Sequence, residues 1–371
     1  MLWAMSKSVA IIGTRGYPSY YGGFETAVRK LAPYLAEQGW DVTVYGREGS
    51  TRPDDDGRDP RVHTVTTRGL ETKSVSTLSY GFTATRHAAK AKPDVALVMN
   101  VANGFFLPTL TRAGIPSLVN VDGIEWDRAK WGRIAKFVFH TGAKWTATHG
   151  TRMVYDAKAI AARWKSEFGL DGDFIPYGGD VPGELPLESG LEHRRYALMV
   201  ARFVPENTVA EFIDAAEQMA TYCDVVIVGS SGYGGELEEK VAALSAANSR
   251  VKWLGHLSDD QRLLSLWQHA GAYFHGHSVG GTNPALVQAM ACGAPVIARD
   301  TIYNREVLEG AGVLVQPDAN AIEAAVKALL NDPEKQQALS EAALARAEES
   351  YSWLGVCQKY EAALLELIKQ K

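Results

Sequence analysis

No apolar run in this 371-residue chain approaches the ~18 residues that a membrane-spanning helix needs, so no span is expected. The opening MLWAMSKSVAIIGTRG has no long apolar stretch before its first charge. A secretory leader is therefore not expected, and Met5 is as good a start as Met1. Cysteine is scarce. Cys223, Cys292 and Cys357 are odd in number and far apart, which argues against a disulfide scaffold and suits a reducing cytosol. No His/Cys/Asp/Glu cluster has metal-ligand spacing, so no metal is expected. The glycine-rich loop after the first apolar run, GTRGYPSYYGGFETAVRKL (13–31), is not a GxGxxG fingerprint and is too long for a dinucleotide turn, which disfavours a nicotinamide cofactor. A net charge of −5 gives no reason to expect nucleic acid.

What is present is the balance of a globular protein, 46% hydrophobic and 22% charged, in a chain too long for one ordinary core. Short β-branched runs alternate with amphipathic stretches. Strands are expected at 8–13, 42–45, 62–67, 95–100 and 117–122, and again at 196–201, 225–229, 251–255, 272–277, 295–298 and 313–315. Near-continuous apolar strands separated by helices predict parallel sheets covered on both faces. The rhythm breaks at PYGGDVPGELPLESGLEHRR (176–195) and then restarts. The expected fold is α/β, with two doubly wound domains facing each other across a cleft. Their expected bounds are 1–178 and 179–354, and a final helix at 355–371 is expected to return to the first domain.

In open α/β sheets, ligands sit beyond the carboxyl ends of the strands, so loops there are the candidates. Gly22 and Gly23 precede a helix and let a ligand approach backbone N–H groups, although an ordinary glycine turn reads the same way. In VNVDGIEWDRAKW (119–131), Asp122 ends a strand and could accept from a hydroxyl or a sugar. Glu125 or Asp127 could instead open the next helix. Arg202 directly follows a buried strand, where a permanent charge needs an anion; that anion is either a core carboxylate or a bound phosphate. Asn207 and Thr208 are candidate helix caps. VIVGSSGYGGE (226–236) is a weaker strand-glycine-helix turn.

HSVGGTNPALVQAMACGAPV (277–296) contains no Asp, Glu, Lys or Arg. Gly280, Gly281, Thr282 and Asn283 lead to Pro284 at a helix start, and their N–H groups could cradle a diphosphate without a cationic side chain. Of His275 and His277 at the preceding strand end, one could contact phosphate or sugar. Residues 126–165 hold nine Lys/Arg, including Lys130, Arg133, Lys136 and Lys144, against two acids, with Trp131, Phe137, Phe139 and Trp145 interleaved. That window is either a solvated helix face or a patch that rests on anionic lipid.

GGFETAVRKLAPYLAEQGWDVTVY, ARFVPEN and HSVGGTNPALVQAMACGAPVIA together resemble the large retaining glycosyltransferase family 4, of GT-B architecture. GTRGYPSYYGGFET, VNVDGIEWDRAKW and HGHSVGGTNP are similar to its bacterial branch of polysaccharide rhamnosyltransferases. The likeness implies that Arg202 binds donor phosphate, with Asn207 where the family carries lysine. It puts Asp122 where many members have a histidine beside donor sugar and acceptor. The family's spaced glutamate pair falls on Gly280 and Gln288, the second on the ribose hydroxyls. A glutamine offers one oxygen acceptor, which suits a 2′-deoxyribose donor or is simply a tolerated exchange.

The resemblance thus implies a metal-independent transferase without a cofactor, moving a sugar from a nucleotide-sugar to a lipid-linked saccharide with retention. The sugar that fits best is L-rhamnose from dTDP-rhamnose. Donor contacts are expected from Gly22, Gly23, Arg202, Asn207, His277, Gly280, Gly281, Thr282, Asn283 and Gln288. Acceptor contacts are expected from Asp122, Glu125 and Trp126, with Asp122 and Arg202 acting in the chemistry. The likeness also favours the lipid reading of 126–165, hence a cytoplasmic protein peripheral on the inner membrane face. A UDP- or GDP-sugar transferase, a GT-B sugar-nucleotide epimerase and a non-catalytic assembly partner are the competing readings.

Overall fold

The computed structural model describes residues 7–20, 22–50, 54–70, 76–128 and 131–370. It divides into two compact units, one running to Tyr177 and resuming at Trp353, the other spanning Gly178–Ser352.

The first unit is a seven-stranded parallel sheet of β1 (Ser8–Ile12), β2 (Asp41–Arg47), β3 (His63–Thr67), β4 (Val95–Met99), β5 (Ser117–Asn120), β6 (Arg152–Tyr155) and β7 (Asp173–Phe174). Their order is β3-β2-β1-β4-β5-β6-β7, which reverses between β1 and β4. Its helices are α1 (Gly23–Glu37), α2 (Ser76–Ala91), α3 (Leu107–Arg112), α4 (Arg133–His149) and α5 (Lys158–Phe168). All five residues of β4, VALVM, are buried, as a central strand covered on both faces requires. The C-terminal helix, Trp353–Lys369, belongs to this unit. Glu361 on it accepts from Tyr34 Oη and Trp40 Nε1, each at 3.0 Å, and Asn120 Nδ2 donates to Tyr360 Oη at 2.7 Å.

Sequence reading ends this sheet at residue 122, but β6 and β7 follow. Four and two residues long, the first within a basic stretch, they carry too little pattern to stand out. β6 also breaks up the basic window. Arg152 pairs with Asp173 and Glu366, Arg163 with Asp127 and Glu167, and Lys165 with Asp171, so much of its charge is met locally.

The second unit is a six-stranded parallel sheet of β8 (Tyr196–Val200), β9 (Asp224–Val228), β10 (Val251–Trp253), β11 (Ala272–His275), β12 (Val296–Arg299) and β13 (Val313–Val315). The order β10-β9-β8-β11-β12-β13 reverses between β8 and β11. Its helices are α6 (Val209–Met219), α7 (Glu236–Ala247), α8 (Asp260–His269), α9 (Pro284–Ala291), α10 (Ile302–Leu308), α11 (Ala319–Leu330) and α12 (Pro333–Ser350). One face of the sheet is sealed by α6 and α11, where Phe212 stacks on Phe274 at 5.3 Å between centroids. The three cysteines are buried and form no disulfide. Each sheet therefore has one point where strand order reverses, and the candidate residues lie in the loops there or at the end of the next strand.

Candidate active site

In the second unit the loop after β8 holds Arg202, whose guanidinium is exposed and has no acidic partner among the described residues. A core salt bridge is thereby set aside as its reason. The loop is braced from below: buried Asn207 donates through Nδ2 to the Arg202 carbonyl at 2.8 Å and accepts through Oδ1 from His277 Nδ1 at 2.5 Å. The amide thus joins the end of β8 to the end of β11 and carries no charge itself. Thr208, at φ 56°, turns the chain into α6.

β11 runs into the turn that starts α9. Gly280 has φ 90°, a region that favours glycine. Asn283 caps α9 by accepting from the Ala285 N–H at 2.9 Å, and Pro284 follows as the first helical residue. The N–H groups of Gly280, Gly281 and Asn283 have no acceptor among the described residues, so the cradle is open to an anion. Thr282 is buried within the turn.

His275 and His277 part company. His277 braces Asn207. His275 is fully buried, shares a 3.1 Å hydrogen bond with Tyr273, and burial pushes its imidazole down to about 3, so it packs as a neutral ring.

Gln288 differs most from the sequence reading. Its Oε1 accepts from the Asp180 N–H at 3.0 Å, while Nε2 donates to the Asp180 carbonyl at 2.7 Å. Both ends of the amide are committed to the backbone of one residue, Asp180, clipping α9 to that segment. A glutamate could make only the first of these bonds. The glutamine therefore needs neither a ribose nor a 2′-deoxyribose to account for it.

In the first unit, Asp122 lies just beyond β5 with φ 61°, and Asn100, just beyond β4, has φ 72°. Two side-chain-bearing residues in the left-handed region at neighbouring strand ends are unusual; Asp and Asn tolerate it best. Asn100 Nδ2 donates to Asp122 Oδ2 at 3.3 Å, and Asn120 Oδ1 accepts from the Asp122 N–H at 2.9 Å. Asp122 is half-buried. Burial, then the charges of Asp122 and Asp156, push the Tyr177 hydroxyl up, so it stands nearby as an O–H donor. Gly22 precedes α1, which Gly23 begins, and the buried carboxylate of Glu25 accepts from the Arg15 N–H at 3.0 Å, fixing the loop ahead of it.

The other acceptor-side expectations change. Glu125 is 3% exposed, paired with Arg128 at 2.8 Å and accepting from Trp131 Nε1 at 2.7 Å, so it fastens its own turn. Trp126 is 8% exposed and packs against His140, Trp164 and Phe168, as a core aromatic does. Sequence reading missed Asn100, Tyr177 and Arg299. Arg299 ends β12, directly after the buried run Val296–Ala298, the same kind of signal that marked Arg202.

Residues 22–178 match the glycosyl transferase 4-like domain, and residues 187–346 match glycosyl transferases group 1. The chain belongs to the GT4-like glycosyltransferases. Among relatives of this transferase, O-antigen chain mannosyltransferase B of Escherichia coli is 26% identical over 196 residues, 51% of this chain and 50% of that protein. MMP α-(1→4)-mannosyltransferase of Mycolicibacterium hassiacum is 24% identical, with 96% and 98% covered. The first of these matches thus spans about half the relative's length. Sucrose-phosphate synthase of Thermosynechococcus elongatus has the same GT-B fold, with a TM-score of 0.79 at 20% identity, covering 98% of this chain and all of that one. Anabaena HepE in complex with UDP-glucose follows at 0.74 and 16%, covering 97% and 99%. Among the described residues, no helix is long and apolar enough to cross a membrane.

Proposed function

We propose that the transferase moves a sugar from a nucleoside-diphosphate sugar to a saccharide on a lipid carrier, with the donor on the second unit and the acceptor on the first. The observation that carries this reading is Arg202, an exposed guanidinium without an acidic partner, braced by Asn207 and His277 at the point where strand order reverses. Charge builds on the departing diphosphate in the transition state, and donors fixed in advance stabilise it directly. Arg202, the N–H groups of Gly280, Gly281 and Asn283, and the positive end of α9 supply that field. Asp122, held by Asn100, orients a hydroxyl of the sugar or acceptor. The leaving phosphate takes the acceptor proton during same-face attack, which gives retention and asks for no metal.

L-Rhamnose carried by dTDP rests on the likeness of the glycine-rich segments. A mannosyl donor is the rival, favoured by the names of two relatives. A thermal-shift panel of dTDP, UDP and GDP with their sugars decides between them. Preferential stabilisation by dTDP-rhamnose is expected, and preference for a GDP- or UDP-sugar overturns the donor assignment. Acceptor-dependent release of nucleoside diphosphate tests the reaction itself.

For membrane contact, α4 carries Ile134, Phe137 and Trp145 at 82%, 71% and 41% exposure. At about 100° per residue they share an arc of roughly 80°. Arg133, Lys136 and Lys144 on the same helix have no acidic partner among the described residues, and Lys130 lies outside those residues. Apolar side chains with bases around them fit an anionic headgroup layer. Neutralising Arg133, Lys136 and Lys144 together should abolish binding to anionic vesicles; unchanged binding refutes the contact.

A further inference from the structure

We infer that Arg299 is a second diphosphate-binding residue, acting with Arg202 on the leaving group; the inference rests on the donor-site reading above. Arg299 is the last residue of β12, one position beyond Ala298, which pairs with His275 of β11. It therefore stands level with Gly276, at the carboxyl edge of the sheet. From there the guanidinium reaches across the end of β11. Its Nη1 donates to Thr208 Oγ1 at 3.1 Å, and Thr208 Oγ1 donates to the Gly276 carbonyl at 2.7 Å.

Glycine at 276 makes this approach possible, because a Cβ there would come within 2.2 Å of the Asn207 carbonyl oxygen and 2.8 Å of Thr208 Cβ. The Arg299 tip is thus seated beside the residue that follows Asn207, the amide that braces Arg202 and His277. On the other side, Asn304 Nδ2 donates to the carbonyls of His277 and Arg299 at 3.0 and 2.8 Å, fixing the ends of β11 and β12 to each other. Arg202 and Arg299 are therefore carried by one hydrogen-bonded frame.

The charge of Arg299 has no acidic partner among the described residues. Its sequence neighbour Asp300 is held by Arg305 through two bonds of 2.5 and 2.6 Å. One bond to a hydroxyl leaves most of five N–H donors unused, and a half-buried permanent charge is costly without an anion. A diphosphate carries charge on two phosphoryl groups, and arginine recognises each through paired donors. Two guanidiniums, from the ends of β8 and β12 on either side of β11, match that distribution better than one.

The test is calorimetric titration of the whole chain with UDP, GDP, dTDP and inorganic pyrophosphate. Arg299→Gln keeps an N–H for Thr208 and removes the charge, while Arg299→Lys keeps the charge. Arg202→Ala serves as the reference. Arg299→Gln should weaken the tightest of these ligands about tenfold or more and make its binding less salt-dependent, with Arg299→Lys recovering most of the loss. If Arg299→Gln fails to fold, the lysine variant carries the test against an Arg299→Met chain that folds. Wild-type affinity and salt dependence in a folded, uncharged variant overturn the inference and leave Arg202 in place. If no diphosphate binds wild type, or Arg202→Ala has no effect, the donor-site reading fails and Arg299 falls with it.

Discussion

The two units put opposite charges at the same topological position. Beyond the strand-order reversal of the first sheet the held charges are carboxylates, Asp122 and Glu25, each kept by neutral donors: an asparagine amide for one, a backbone N–H for the other. Beyond that of the second, the charges are the guanidiniums of Arg202 and Arg299: amides of Asn207 and Asn304 anchor their backbone carbonyls, and the Arg299 tip donates to the Thr208 hydroxyl. In neither unit is the exposed candidate cancelled by an opposite charge. Contrast Glu125, only three residues from Asp122, which is spent on Arg128. What separates a charge available for a ligand from one used by the fold is its partner, because a neutral hydrogen bond orients a charge without neutralising it. An acidic edge suits hydroxyl-bearing ligands and a cationic edge suits phosphate, which is the division of labour proposed above.

Removing the cation should do the most damage. Arg202→Ala is expected to lower kcat/KM by about 10²–10³-fold, as loss of a donor aimed at developing charge does. Its guanidinium is exposed, so unfolding free energy should stay within about 0.5 kcal/mol of wild type. A large drop in stability accompanying the lost activity would show that Arg202 is structural and erase the contrast.

On the acidic side the signs should split. Asp122→Gly removes the carboxylate but also releases a left-handed backbone, φ 61°, that glycine adopts freely. Activity should fall about tenfold or more, while stability stays level or rises by up to about 1 kcal/mol. Steady-state kinetics beside urea denaturation reads both. If both fall together, Asp122 holds the fold and not a substrate.

Most of the architecture was legible because the central strands are apolar on both faces and bounded by glycine turns. The local logic of caps and strand ends marked Arg202, Asn207, Asp122 and the 280–284 turn for the same reason: each claim needs only neighbours in sequence. What was illegible depends on distant partners. Gln288 reads as a ligand contact until the Asp180 backbone, 108 positions away, is seen to occupy its amide. Trp126 reads as an acceptor contact until Trp164 and Phe168 close around it. Arg299 is legible by the same rule as Arg202, a permanent charge at the end of the buried run PVIAR.

Gln288 supplies a test inside the cationic unit. Gln288→Glu keeps the size but sets a carboxylate oxygen against the Asp180 carbonyl, removing one bond and opposing two acceptors. Stability should drop by about 1–3 kcal/mol, with Gln288→Ala at the lower end because it leaves no repulsion behind. If glutamate costs nothing in stability and tightens nucleotide binding, the side chain swings to the ligand, and the clip to Asp180 is incidental.

The last expected effect concerns a group that burial at the cationic edge keeps uncharged. His275, buried at the end of β11, stays neutral in the folded chain down to about pH 3, whereas an unfolded histidine takes up its proton near 6.5. Between those values the unfolded state binds the extra proton, so acid favours unfolding and stability rises with pH. This one residue should contribute a slope approaching about 1.4 kcal/mol per pH unit below 6, absent above 7. His275→Asn, which retains a polar atom near Nδ1 for Tyr273, should flatten the curve by that amount in urea titrations between pH 5 and 7. Parallel curves would mean that the imidazole titrates in the folded protein as it does unfolded, and so is charged below about pH 6. A third cation would then stand at the strand end between Arg202 and Arg299, and the diphosphate field would have to be redrawn around it.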